Sequence, residues 1–185
     1  MDRKIKKIVK GQHTVDGAGV HLVRVLGYRD TKEFDPFLML DSFDSKNPND
    51  YNKGFPFHPH RGIETITYLI EGSMEHEDSL GNKGTIHPGE SQWMTAGSGI
   101  MHQEMPIASD RMLGVQIWLN LPQKDKMVKP EYFEIKQDMM GKINIPEGSV
   151  QVISGSYKGI NGVAPHYHNA TLYDIIINKI GRAHV

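Results

Sequence analysis

A chain of 185 residues with a formal net charge of −1 has room for one domain or one and a fraction, and lacks the charge surplus that marks a nucleic-acid or anionic-membrane partner. The absence of cysteine excludes disulfides and thiolate ligands, so a metal ion would have to be held by His, Asp or Glu. No apolar run approaches the ~20 residues that cross a bilayer and the amino terminus shows no signal-peptide core, so a cytoplasmic location with no membrane partner is expected.

Nineteen glycines and ten prolines punctuate short segments rich in β-branched and aromatic residues, and few segments keep a helical period. The expected class is therefore all-β. Ile5 to Val9 reads as a strand whose lysines, Lys4, Lys6, Lys7 and Lys10, guard an edge. Asp16 to Gly19 is a turn into a strand over Val20–Leu26. Phe37 to Leu40 is a continuous apolar run, as for a strand buried on both faces. Residues 44–53 are polar and form a loop. Ile63 to Ile70 alternates, and Ser73–Asp78 and Lys83–His87 flank a hairpin turn at Ser79-Leu80-Gly81-Asn82. Ser91–Thr95 is a strand, followed by the loop Gly97-Ser98-Gly99, which has no strand-then-helix context for a nucleotide. Met112 to Asn120 is a core strand interrupted by one polar residue, Gln116. Beyond Pro122 the pattern weakens to strands at Tyr132–Ile135, Val150–Ser154 and Thr171–Asn178, with a mobile loop at 155–162.

The chemistry is carried by two short pairs, His58-Pro59-His60 and His102-Gln103-Glu104. Side chains two apart leave the same face of a strand. Two such strands facing one interior can close a site of three histidines and one carboxylate. Imidazole suits Fe, Cu, Ni and Zn, and a carboxylate among histidines leans toward a harder, redox-capable ion such as Fe(II). His76 alternates away from Glu75 and Glu77, cannot chelate with them, and reads as a surface or hairpin residue. His166 and His168 have ligand spacing but lie in a linker and read as solvent-exposed. Trp93, Trp118, Met94, Met101 and Met105 read as core or pocket lining. No Ser-His-Asp or Cys-His arrangement is visible.

The run Phe55-Pro56-Phe57-His58-Pro59-His60-Arg61-Gly62-Ile63-Glu64-Thr65, together with Gln92 to Pro106, Met74 to Asn82 and Glu33 to Asp41, resembles the signature of the pirin family of the cupin superfamily. The resemblance covers most of residues 15–122. It implies a cupin, a jelly-roll β-barrel, with one complete barrel in residues 1–165 and the opening strand of a truncated second in 166–179. Residues 180–185 fit nothing in the family and are expected to be a non-native tail. The resemblance assigns the metal to His58, His60, His102 and Glu104, with Glu104 also placed to act as a general base. In cupins generally a glutamate follows the first histidine pair as a ligand. In the pirin branch the position matching Glu104 takes that part, leaving Glu64 as an acceptor behind the ligands or a partner for Arg61. The implied activity is quercetinase-like, an iron-dependent opening of a flavonol-type ring by O2. The alternative is a non-enzymatic, iron-dependent redox-sensing partner of transcription regulators. The partners implied are a small aromatic substrate or another protein, without direct binding to nucleic acid.

Overall fold

The structure is a computed structural model that describes residues 4–178; the expected tail at 180–185 lies outside the described residues. The chain divides into two compact units, residues 1–134 and 135–185. The first carries β1 (Gln12–Asp16), β2 (Val20–Leu26), β3 (Phe37–Ser45), β4 (Phe55–His60), β5 (Ile63–Glu71) and β6 (Ser73–Asp78). It continues through β7 (Lys83–Ile86), β8 (Ser91–Thr95), β9 (Ile100–Ile107) and β10 (Met112–Asn120), and ends in β11 (Glu131–Ile135). The strands form two sheets, ordered β1-β2-β3-β10-β5-β8-β11 and β4-β9-β6-β7.

Two strands of the smaller sheet show which face they bury. Along β9, Ile100, His102, Glu104 and Pro106 are buried while the residues between them are more exposed. β6 does the same with Met74, His76 and Asp78. These inward faces meet the inward face of the larger sheet, where Val20, Leu22, Phe43, Leu69 and Met112 join Met74 and Ile86 in one apolar cluster. Burying one such side chain stabilises the fold by roughly 1.5–3 kcal/mol. The two sheets make the jelly-roll barrel expected of a cupin. At the β6–β7 turn, Asp78 Oδ1 accepts from the amides of Leu80 and Asn82 at 2.8 and 3.0 Å, and Gly81 takes a φ of +91°.

The second unit carries β12 (Gly141–Ile145), β13 (Gly148–Ser154), β14 (Ser156–Tyr157), β15 (Ile160–Asn161) and β16 (Leu172–Ile177). β12, β13 and β16 form one sheet, in which Val150 opposes Ile175 and Val152 opposes Tyr173. β14 and β15 form a small hairpin where a plain loop is expected from the sequence. Among the described residues, no helix is long and apolar enough to cross a membrane.

Two strand expectations are corrected. Ile5 to Val9 forms no strand; Ile5 and Ile8 are 81% and 73% exposed, and pairing begins at Gln12. The closely spaced lysines keep this segment in water, and Lys7 reaches Glu33 at 2.6 Å. Phe37 to Leu40 is not buried on both faces. It opens the longer β3, in which Met39, Asp41 and Phe43 turn inward and Phe37 stays at the surface.

Candidate metal centre

β4 and β9 run antiparallel, with His58 directly across from His102, His60 across from Ile100 and Phe55 across from Glu104. Three steps along β4, from Phe55 to His58, match two steps along β9, which is a β-bulge. Phe55 and His58 can therefore both turn toward the barrel interior. At this bulge the His58 Nδ1 donates to the Pro56 carbonyl at 2.9 Å. A carbonyl only accepts, so Nδ1 carries a proton and Nε2 is the ring nitrogen left to face an ion.

That nitrogen faces two other ring nitrogens. His58 Nε2 lies 3.0 Å from His60 Nε2 and 3.1 Å from His102 Nε2, and the ligand nitrogens of all three residues fall within 4.8 Å of one another. Two nitrogens each ~2.1 Å from one ion, and at right angles about it, would be about 3.0 Å apart. The observed spacing fits a shared cation. Burial pushes His60 down to about 3, helped by the neighbouring His102 and His58. Burial also lowers His102, against the opposing pull of Glu104. Both imidazoles are thereby kept neutral, the form that binds a metal.

The structure thus brings His58, His60 and His102 together. Glu104 lies on the same inward face of β9 and is 1% exposed, but its carboxylate is turned to the facing sheet. Thr67 Oγ1 donates to Glu104 Oε1 at 2.9 Å, and Gln116 Nε2 donates to Oε2 at 2.7 Å.

Beside the histidines lies a cavity of about 660 Å³, whose apolar wall includes Leu38, Met39, Phe55, Ile63 and Trp118. The His60 ring meets the Trp118 indole edge-on at 5.0 Å. Asp16 and Asp41 line the same space. Arg24 holds both, reaching Asp41 through Nε and Nη2 at 2.9 and 2.8 Å and Asp16 through Nη2 at 2.7 Å. The pair Arg24–Asp41 shifts upward at both ends, for different reasons. Hydrogen bonding to Asp41 raises the guanidinium, whereas burial raises Asp41 more than Arg24 lowers it. For Asp16 burial pulls upward, but Arg24 and the Gly17 amide together leave it below the usual carboxylate range.

Glu64 is not behind the ligands. In β5, Thr67 faces inward to Glu104, so Thr65 shares that face and Glu64 leaves the opposite one. Glu64 is fully buried there, and Thr95 Oγ1 donates to its Oε1 at 2.8 Å. His76 is not a surface residue. It is 4% exposed, sits directly across from Glu104, and its Nε2 meets Glu134 Oε1 at 3.1 Å. Burial lowers its pKa, with Glu134 pulling the other way. His166 is exposed as expected, and His168 is half-buried. Thr67, Asp41 and Arg24 had no mark in the sequence as site residues. Gln116 had one, as the polar break in a strand that is otherwise apolar.

Two facing sheets with three imidazoles converging beside an apolar cavity define a cupin barrel with a metal-competent centre. Residues 19–119 match the family model described as Pirin, and the chain belongs to that family. A pirin-like protein of Caulobacter vibrioides is 52% identical over 157 residues, covering 83% of this chain and 56% of the relative. The pirin of Homo sapiens is 42% identical over 172 residues, covering 92% of this chain and 58% of its own length. Among solved structures, a quercetin 2,3-dioxygenase from Acinetobacter baumannii superposes with a TM-score of 0.79 at 31% identity, covering 90% of this chain and 62% of that one. The chain spans less than two thirds of the length of these relatives.

Proposed function

We propose that this chain is the metal-bearing barrel of a quercetinase-like dioxygenase that takes a flavonol-type aromatic substrate and O2. The observation that carries the reading is the convergence of three imidazoles, two of which, His58 and His60, line a largely apolar cavity of about 660 Å³. That volume falls within the range of small-molecule sites, roughly 300–1,000 Å³. The ion would be Fe(II), held by His58, His60 and His102 with Glu104 as the carboxylate of the set. When bound, Fe(II) lowers the pKa of a coordinated hydroxyl and supplies redox capacity toward O2. Trp118, Phe55 and Leu38 present apolar surface to a planar ring and keep bulk water from it. A carboxylate oxygen of Glu104 would take the proton of the substrate hydroxyl as general base. The similarity to the Acinetobacter baumannii enzyme supports the same chemistry.

The alternative is an iron-dependent partner of transcription regulators, which needs the ion's state to alter a surface. Burial argues against it, since His60 and His102 are 8% and 1% exposed. The test is O2 uptake by Fe(II)-loaded protein across a flavonol panel, with the His58→Ala variant as control. We expect uptake of one O2 per flavonol consumed, abolished in the variant. Protein that binds iron but takes up no more O2 than the variant would overturn the enzymatic reading and favour the partner reading.

A further inference from the structure

We propose that Thr67 and Gln116 form a two-donor clamp that fixes the orientation of the Glu104 carboxylate beside the three histidines and thereby sets the metal affinity of the centre. The inference rests on the metal-centre reading and extends it to residues of the facing sheet. Its basis is the direction of every hydrogen bond in the group. The Gln116 amide nitrogen has two protons; one goes to Glu104 Oε2 at 2.7 Å and the other to Thr67 Oγ1 at 3.2 Å. The Thr67 hydroxyl accepts from that amide and gives its single proton to Glu104 Oε1 at 2.9 Å. Two of the three protons therefore reach the carboxylate, one on each oxygen, and the third ties the two donors to each other.

This arrangement has no slack. Thr67 is 1% exposed, Glu104 1% and Gln116 6%, so bulk water has little access to these bonds. In such surroundings an acceptor left without its donor carries a desolvation cost, and hydrogen bonds to a charged group are the stronger kind. β5 and β10 are adjacent antiparallel strands, and Gln116 stands directly across from Thr67. The two donors are thus spaced by the ladder itself, and they face β9 as a rigid pair. Each carboxylate oxygen retains one lone pair beyond the clamp. The clamp decides where those lone pairs point. Gln116 also lines the cavity, which puts one arm of the clamp beside any bound substrate.

Thr67 and Gln116 are positioning residues, so the readout is the ion rather than turnover. The probe is Co(II), titrated into metal-free protein and followed by its visible absorption, which reports coordination number as well as affinity. Thr67→Val keeps the shape but removes the hydroxyl, and Gln116→Leu removes both amide protons. Each is expected to weaken Co(II) binding roughly 10–100-fold and to alter the visible bands, the range seen when groups behind a metal ligand are lost. Thr67→Ser retains the donor and should keep wild-type binding. The double variant should lose less than the two single losses combined, because Gln116 also donates to Thr67. Thr67→Val and Gln116→Leu proteins that melt like wild type and bind Co(II) with its affinity and spectrum would overturn the clamp. So would a Thr67→Ser variant as weak as Thr67→Val. Wild-type protein that takes up no Co(II) would overturn the metal centre itself, and the clamp with it.

Discussion

Replacing Arg24 by Met is the sharpest stability test the structure offers. The substitution keeps the alkyl stem and removes a guanidinium that makes two bonds to Asp41 and one to Asp16. Asp41 is left with a side chain only 3% exposed and no cation beside it. Breaking a buried pair by removing one partner costs about 3–5 kcal/mol. The Arg24 side chain is 33% exposed, however, and Asp41 borders a cavity that admits water, so both charges are partly screened. A loss of about 2–3 kcal/mol at pH 7 follows, worth roughly 5–10 °C in Tm. The sign with pH is fixed by the shifts. Burial already raises Asp41 above its ordinary range with Arg24 present, and without Arg24 it rises further. A raised acid burdens the fold where it is ionised, and that burden fades as pH falls toward its unfolded value of about 3.9. Asp16, held low mainly through Arg24, gives its stability above its own unfolded value and loses it on acidification. The Asp41 effect shrinks the deficit of Arg24→Met between pH 7 and about pH 4, and the Asp16 effect adds to it only below that. Thermal melts at the two pH values check this. Asp41→Asn, made in both backgrounds, should cost less on top of Arg24→Met than alone. An equal deficit at both pH values, or full additivity of the two substitutions, would refute the reasoning.

Three further outcomes are expected. His58→Ala or His102→Ala should each remove most of the ion from metal-loaded protein by elemental analysis, because losing one donor leaves the rest misoriented; full occupancy in either variant would refute the centre. Glu64→Gln should leave Co(II) affinity and spectrum unchanged, since Glu64 leaves the opposite face of β5 from Thr67; a shifted spectrum would put it back among the ligands. A chain ended at Pro165 loses β16, the partner of β13, yet should bind metal as before, since His58, His60, His102 and Glu104 all lie in the first unit. Loss of metal in that shorter chain would refute the proposal that residues 1–165 suffice for the site.

Much of this was legible in the sequence where one period decided the matter. β9 alternates cleanly, so His102 and Glu104 could be placed on one face, and His58 and His60 on another, without knowing the pairing. Period alone does not say which of two buried faces looks at the site. From Glu64 to Leu69 every residue of β5 is buried, so nothing local separates Glu64 from Thr65. His76 failed for a related reason. Its polarity suggests an outward face, yet the pairing of β6 with β9 sets it across from Glu104. Arg24 and Asp41 belong to neighbouring strands that meet only after folding, so their ion pair has no local signature. Ile5 to Val9 carried the right period but had no partner strand to pair with.

The bulge in β4 carries a lesson about counting. His58 faces the interior because the chain absorbs one surplus residue between Phe55 and His58 while β9 advances two positions. Facing in or out is a matter of parity, odd or even, and a single further insertion between these residues would reverse it for the whole His58–His60 pair. Every ligand would still be written in the sequence, and the ion would have nowhere to sit. The number of residues between Phe55 and His58 is therefore as much a part of the centre as the imidazoles themselves. Family members with all the histidines but a different count at this point are the ones in which the centre should be looked for and not found.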